Sequence, residues 1–143
     1  LDLRMAFTRE GNIRGRGVMA LLVSAGARDW KDKNTEIRAY DAVDFHHIVP
    51  EQKLKKWYPG SPDDRKPIAA FSPVCSSTNR SIGSKAPDSV IADLGKDAAA
   101  VMATHHLDIE KLEKAYGSRK AVEGFISDRE RRLREFIKGT LSL

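Results

Sequence analysis

The sequence predicts an α+β fold, a small extended core over residues 37–75 flanked by helices. Three observations predict it. First, β-branched and aromatic residues gather at Ile37, Tyr40, Val43, Phe45, Ile48 and Val49, and again between Ile68 and Val74. Second, a stretch with three prolines and a glycine, residues 59–67, separates these two pieces as a loop. Third, helical apolar spacing governs residues 15–26 and almost everything after residue 87.

Each element follows from its local chemistry. Val18, Leu21, Leu22 and Ala25 form one side of a helix over 15–26, and Gly26 is placed to stop it. Residues 28–36 are polar and read as a loop. The extended piece over 37–49 ends at Pro50, which lacks an amide donor. Residues 51–58 suit one or two helical turns. Residues 68–74 supply the second extended piece. Ser76, Ser77 and Thr78 are good residues for opening a short helix, which Gly83 closes. Pro87-Asp88-Ser89 starts a helix running to residue 103. A short helix over 108–116 follows, then the longest, 119–138, with Val122, Phe125, Ile126, Arg129, Leu133, Phe136 and Ile137 near helical spacing.

The chain has 143 residues, enough for one domain, which we divide into a core at about 37–87 and a helical part at 88–143. It starts at Leu1, so a fragment of a longer chain with an upstream domain is expected. The longest apolar run, Val18 to Ala27, is too short for a membrane span. The N-terminus has no signal-peptide layout, and a soluble, cytoplasmic protein is expected. A single cysteine, Cys75, allows neither an internal disulfide nor a Cys-x-x-Cys zinc clamp, and reads as a small buried residue. A net charge of +5 suits a polyanionic partner without proving one.

The ionisable chemistry concentrates in the core. Asp44-Phe45-His46-His47-Ile48-Val49-Pro50 puts two adjacent histidines at a strand end. Thr78-Asn79-Arg80 opens the following helix, and Lys85 lies just beyond it. Phosphodiester hydrolysis needs a base for water, a cation against the developing charge and donors for the phosphate. A neutral imidazole titrates near operating pH and suits the base. A second imidazole and an amide oxygen suit magnesium, which keeps most of its hydration shell. Arg80 and Lys85 can grip phosphate oxygens. Successive strand residues face opposite ways, so His46 and His47 serve one site only if the strand end bends or each borders a different edge.

The segments FHHIVP (45–50), KLKK (53–56) and TNRSIGSKAP (78–87), in that order, resemble the HNH endonuclease family. They look closest to the C-terminal nuclease domain of GmrSD-type modification-dependent restriction enzymes and phosphorothioation-sensing phage-defence proteins. The likeness covers about two-thirds of the chain. It implies a ββα-metal core and DNA as partner. His46 matches the first motif residue, a metal ligand, and His47 the general base. Asn79 matches the second metal ligand, and all three would be catalytic. The cofactor implied is one divalent ion, Mg2+ or Mn2+. The products implied are a 5′-phosphate and a 3′-hydroxyl, made in restriction or phage defence. The family's middle Asn, which braces the loop by bonding backbone, aligns with Ala70, and alanine cannot make that bond.

Arg129 and Arg132, on a helix rich in both charges, are expected to join Arg80 and Lys85 on DNA phosphates. Arg4, Arg9, Arg14, Arg16 and Arg28 could add to that surface. A salt-bridged solvated face is the competing reading of the same helix. Asp44 reads as a strand-end turn residue in preference to a carboxylate partner behind a histidine, and the pair His105-His106 as helix-terminal structure. Two rival functions stay open. One is a non-catalytic DNA-binding module with an HNH-like shell. The other is a zinc-binding interaction domain built on both histidine pairs.

Overall fold

The computed structural model describes residues 12–38, 42–60 and 67–142. Arg4, Arg9 and Tyr40 lie outside them. The fold is mixed, with seven α-helices and one antiparallel pair of strands among the described residues.

The first helix, α1 (Asn12–Ser24), buries Val18, Met19 and Leu22, and Gly26 follows at φ +89°. Ala25 is exposed, so Met19 replaces it on the buried side. The polar stretch after α1 is not wholly surface loop: Arg28 bridges Glu36, and Asp29 and Trp30 are buried.

Strand β1 (Val43–His47) is shorter than the expected 37–49. Ile48 and Val49 leave it, and the Ile48 amide donates to the Ala70 carbonyl at 2.9 Å. Helix α2 (Glu51–Trp57) supplies the expected turns. Residues Ile68–Ala70 form a 3-10 turn instead of a strand. Strand β2 (Phe71–Cys75) then pairs with β1, with Val43 opposite Cys75, His46 opposite Ser72 and His47 opposite Phe71. Pro73 is tolerated because a two-stranded sheet is all edge. Helix α3 (Ser76–Ile82) follows β2 without a loop, and Gly83 ends it at φ +54°.

The helix expected over 87–103 divides. It becomes α4 (Pro87–Leu94), a 3-10 turn at Gly95–Asp97, and α5 (Ala98–Ala103). The break is at Gly95, whose φ of +57° only glycine reaches cheaply. Helices α6 (Ile109–Lys114) and α7 (Arg119–Leu141) complete the chain. Asp108 and Ser118 cap them, each accepting a backbone amide at 3.1 Å.

A two-stranded sheet is barely stable alone, so helices must cover it. Strand alternation sends Val43, Phe45 and Phe71 to a cluster with α1 and the C-terminal half of α7. Val74 goes to a second cluster with α4, α5, α6 and the first half of α7. Each fully buried side chain of this kind is worth roughly 1.5–3 kcal/mol. Among the described residues, no helix is long and apolar enough to cross a membrane.

Candidate active site

Asp44 and His46 lie two apart on β1 and therefore share a face. Because α3 starts where β2 ends, Asn79, one turn in, comes to lie against that face. Its Oδ1 sits 2.8 Å from His46 Nδ1, and its Nδ2 donates to Asp44 Oδ2 at 2.9 Å. Ser76 Oγ donates to the other Asp44 oxygen at 2.8 Å. A carboxylate only accepts, so Asp44 fixes which end of the Asn79 amide faces His46. Asp44 is thus a mid-strand orienting residue and not the turn residue its sequence position suggested.

His46 is buried, with its ring edge-on to Trp30 at 5.1 Å. Burial pushes its pKa below the usual imidazole value, against the upward pull of Asn79 and with a further downward push from His47. The ring is therefore neutral at pH 7. It donates Nδ1–H to Asn79 Oδ1, since an amide oxygen can only accept.

His47 ends β1 on the opposite alternation, half-buried. Its ring packs edge-on to Phe71, its cross-strand partner, at 4.6 Å between centroids. Its Nδ1–H donates to the Val49 carbonyl, which leaves the lone pair on Nε2. The structure thus brings Asp44, His46 and Asn79 together and sets His47 at the strand end on the other face.

The donor set suits a hard divalent cation. His46 Nδ1 and Asn79 Oδ1 are turned on each other with one proton between them, and a cation would take that proton's place. Among the described residues no group of three or more His, Cys, Asp or Glu could hold a metal.

Other residues hold this frame. The buried Asp29 carboxylate accepts the Cys75 amide at 2.8 Å and the Thr78 hydroxyl, tying the α1–β1 connection to the β2–α3 junction. Trp30 stacks edge-on to both His46 and His105, and its buried Nε1 has no hydrogen-bond partner among the described residues. Both were missed in the sequence, although a tryptophan in an otherwise polar stretch signalled burial there. Cys75 is half-buried, not buried.

Ala70 is buried in the 3-10 turn before β2 and has no side-chain group to brace it. Arg129 does the bracing from α7, donating to the carbonyls of Ala69 and Phe71 and to Ser72 Oγ. This corrects its expected place on DNA: Arg129 is 1% exposed and faces the interior. Burial lowers its pKa to about 9, so it stays charged at neutral pH.

Arg132 is half-buried and bonds Asp128 at 2.7 Å and Asp108 at 2.9 Å. Arg119, Arg131 and Arg134 pair with carboxylates one turn away, so α7 carries an ion-paired face. Arg80 is exposed on α3. Lys85 pairs with Asp93 at 2.7 Å, an exposed pair of the kind that contributes little. It borders a cleft of about 360 Å³ beside α3, shared with Lys31, Ser77 and Ser81.

The second histidine pair is structural. His105 Nε2–H donates to the Arg28 carbonyl and Nδ1 accepts from Ser72 Oγ at 2.7 Å, so both ring nitrogens are engaged. That removes His105 from any zinc site. His106 lies at φ +55° with its ring 4.4 Å from Phe136.

No family model, curated protein or solved structure matches the chain.

Proposed function

We propose that this chain is a metal-dependent HNH endonuclease domain acting on DNA, with β1, β2 and α3 as its ββα-metal core. One observation carries the reading: Asn79 Oδ1 and His46 Nδ1, 33 residues apart, meet at 2.8 Å, with the amide oriented by Asp44. Orienting a ligand through a carboxylate behind it is typical of metal sites.

His46 and Asn79 would hold one Mg2+ or Mn2+, which supplies positive charge against the charge gathering on the phosphate. The two histidines border different edges of one site, where the chain bends at Ile48 and Val49, and His47 Nε2 takes a proton from water, whose oxygen attacks phosphorus. The bond to the 3′-oxygen breaks and that oxygen takes a proton from solvent water, leaving a 5′-phosphate and a 3′-hydroxyl. The Val49 carbonyl keeps His47 in the tautomer this step needs. Arg80 and Lys85 hold phosphate oxygens and position the strand without reading sequence. A role in restriction or phage defence, and an upstream domain that chooses the site, complete the proposal.

The test is supercoiled plasmid incubated with Mg2+, with Mn2+ or with EDTA, using wild type and His47→Ala. Nicked or linear product that needs both metal and His47 is expected, with DNA binding retained in His47→Ala. A mobility shift without cleavage in any metal would point instead to a non-catalytic DNA-binding module.

A further inference from the structure

Arg129 is a buried cation whose acceptors among the described residues include no carboxylate. Nη1 donates to the Ala69 carbonyl at 2.7 Å and to the Phe71 carbonyl. Nη2 reaches Ser72 Oγ at 3.2 Å and the His105 carbonyl at 3.4 Å, and Nε reaches the same carbonyl at 3.4 Å. Burying a charge without an opposite charge is costly, and only a dense set of hydrogen bonds offsets it. A packed apolar residue would fill the space at lower cost.

Its acceptors point to what the arginine does. Three of them lie in the run 69–72, where β2 begins. Ala69 and Ala70 have no polar side chains, so this segment cannot brace itself. The Ala70 carbonyl takes the amide of Ile48, the residue after His47, at 2.9 Å. Phe71 carries the ring on which His47 packs. Arg129 therefore reaches His47 by two routes, one through the Ala70 peptide and one through Phe71.

We infer that Arg129 is a positioning residue for the general base: its guanidinium fixes residues 69–72 and, through them, the ring of His47. This rests on the nuclease reading above. A planar five-donor fork is needed, which lysine cannot supply.

Arg129→Lys and Phe71→Leu are compared with wild type by plasmid-cleavage kinetics, thermal unfolding and 15N NMR of the imidazoles. Arg129→Lys is expected to lower kcat by about a hundredfold, the scale of a small misplacement. KM should stay within about twofold, since DNA contacts are untouched. The His47 nitrogen resonances should move from one tautomer toward an average of two. Phe71→Leu, which keeps the Arg129 bonds to backbone and cuts only the ring contact, should give the same shift and loss; Arg129→Gln, which keeps fewer donors in the same space, carries the test if Arg129→Lys does not fold. A lower melting temperature with unchanged kcat per folded molecule and unchanged His47 resonances would overturn the inference. Should wild type cleave no DNA, the nuclease reading falls, and the His47 resonances in the two variants still decide the positioning role.

Discussion

Asp44 accepts the Asn79 amide N–H at 2.9 Å, and that one bond decides which atom Asn79 turns toward His46. Without the carboxylate, the amide could rotate and offer His46 its NH2 group, which is no ligand. Ser76 holds the carboxylate in turn, so Asn79 is oriented by a chain of side chains from β1 and α3.

On the nuclease reading, Asp44→Ala should therefore weaken metal use more than it weakens the fold. The Mg2+ concentration for half-maximal cleavage is expected to rise roughly 10- to 100-fold, as when such supporting partners are removed. An unchanged Mg2+ titration would remove Asp44 from the site.

Asp29 bonds the Cys75 amide and the Thr78 hydroxyl from inside the protein. Asp29→Ala leaves the buried Thr78 hydroxyl and the partly buried Cys75 amide without this acceptor, at a cost of roughly 2–3 kcal/mol. Combining it with Thr78→Val removes one orphan, so the double variant should lose less than the sum of the single losses. Strict additivity in urea unfolding would show that the two side chains do not interact.

Burial holds the His105 pKa at about 3, against an ordinary value of 6.5. As pH falls below 6.5 the unfolded chain takes up a proton that the folded chain refuses until about pH 3. Stability should fall across that window, by up to about 1.4 kcal/mol per pH unit from this one group. His105→Gln keeps a donor for Arg28 and an acceptor for Ser72 but does not titrate. Its urea midpoints at pH 7, 5.5 and 4.5 should fall less steeply than those of wild type. Equal slopes would mean that His105 is not the group responsible.

Gly95 breaks the long apolar stretch into α4 and α5 at φ +57°, ψ −129°, a region closed to L side chains. A Cβ there would meet nothing within 4 Å, so the penalty of Gly95→Ala is backbone conformation alone. A loss of roughly 1–3 kcal/mol is expected. No change in melting temperature would imply that α4 and α5 can fuse into one helix.

Much of the frame was legible in the sequence because its signals are local. Pro87, Gly26 and Gly83 start or end helices by backbone chemistry that needs no neighbours. Apolar spacing marked α7, and the α+β class followed from the two extended runs. Strand limits were less legible, since Ile48 and Ile68 have strand-like side chains but lie where the backbone turns. Periodicity could not reveal that Gly95 would divide a helix.

The sequence by itself determined which side chains with useful chemistry this protein carries: His46, His47 and Asn79, with Asp44 two residues before the first. Only the tertiary structure decided what they touch. Asp44 became the orienting partner of Asn79 because α3 folds against its strand face. Arg129, expected on the surface with its charged neighbours, turned inward because its position on α7 meets the carbonyls of Ala69 and Phe71, which accept from its guanidinium. Charge and helical spacing describe one element at a time, whereas the acceptors that claim a guanidinium lie about 60 residues away in the chain and can be found only once the chain has packed.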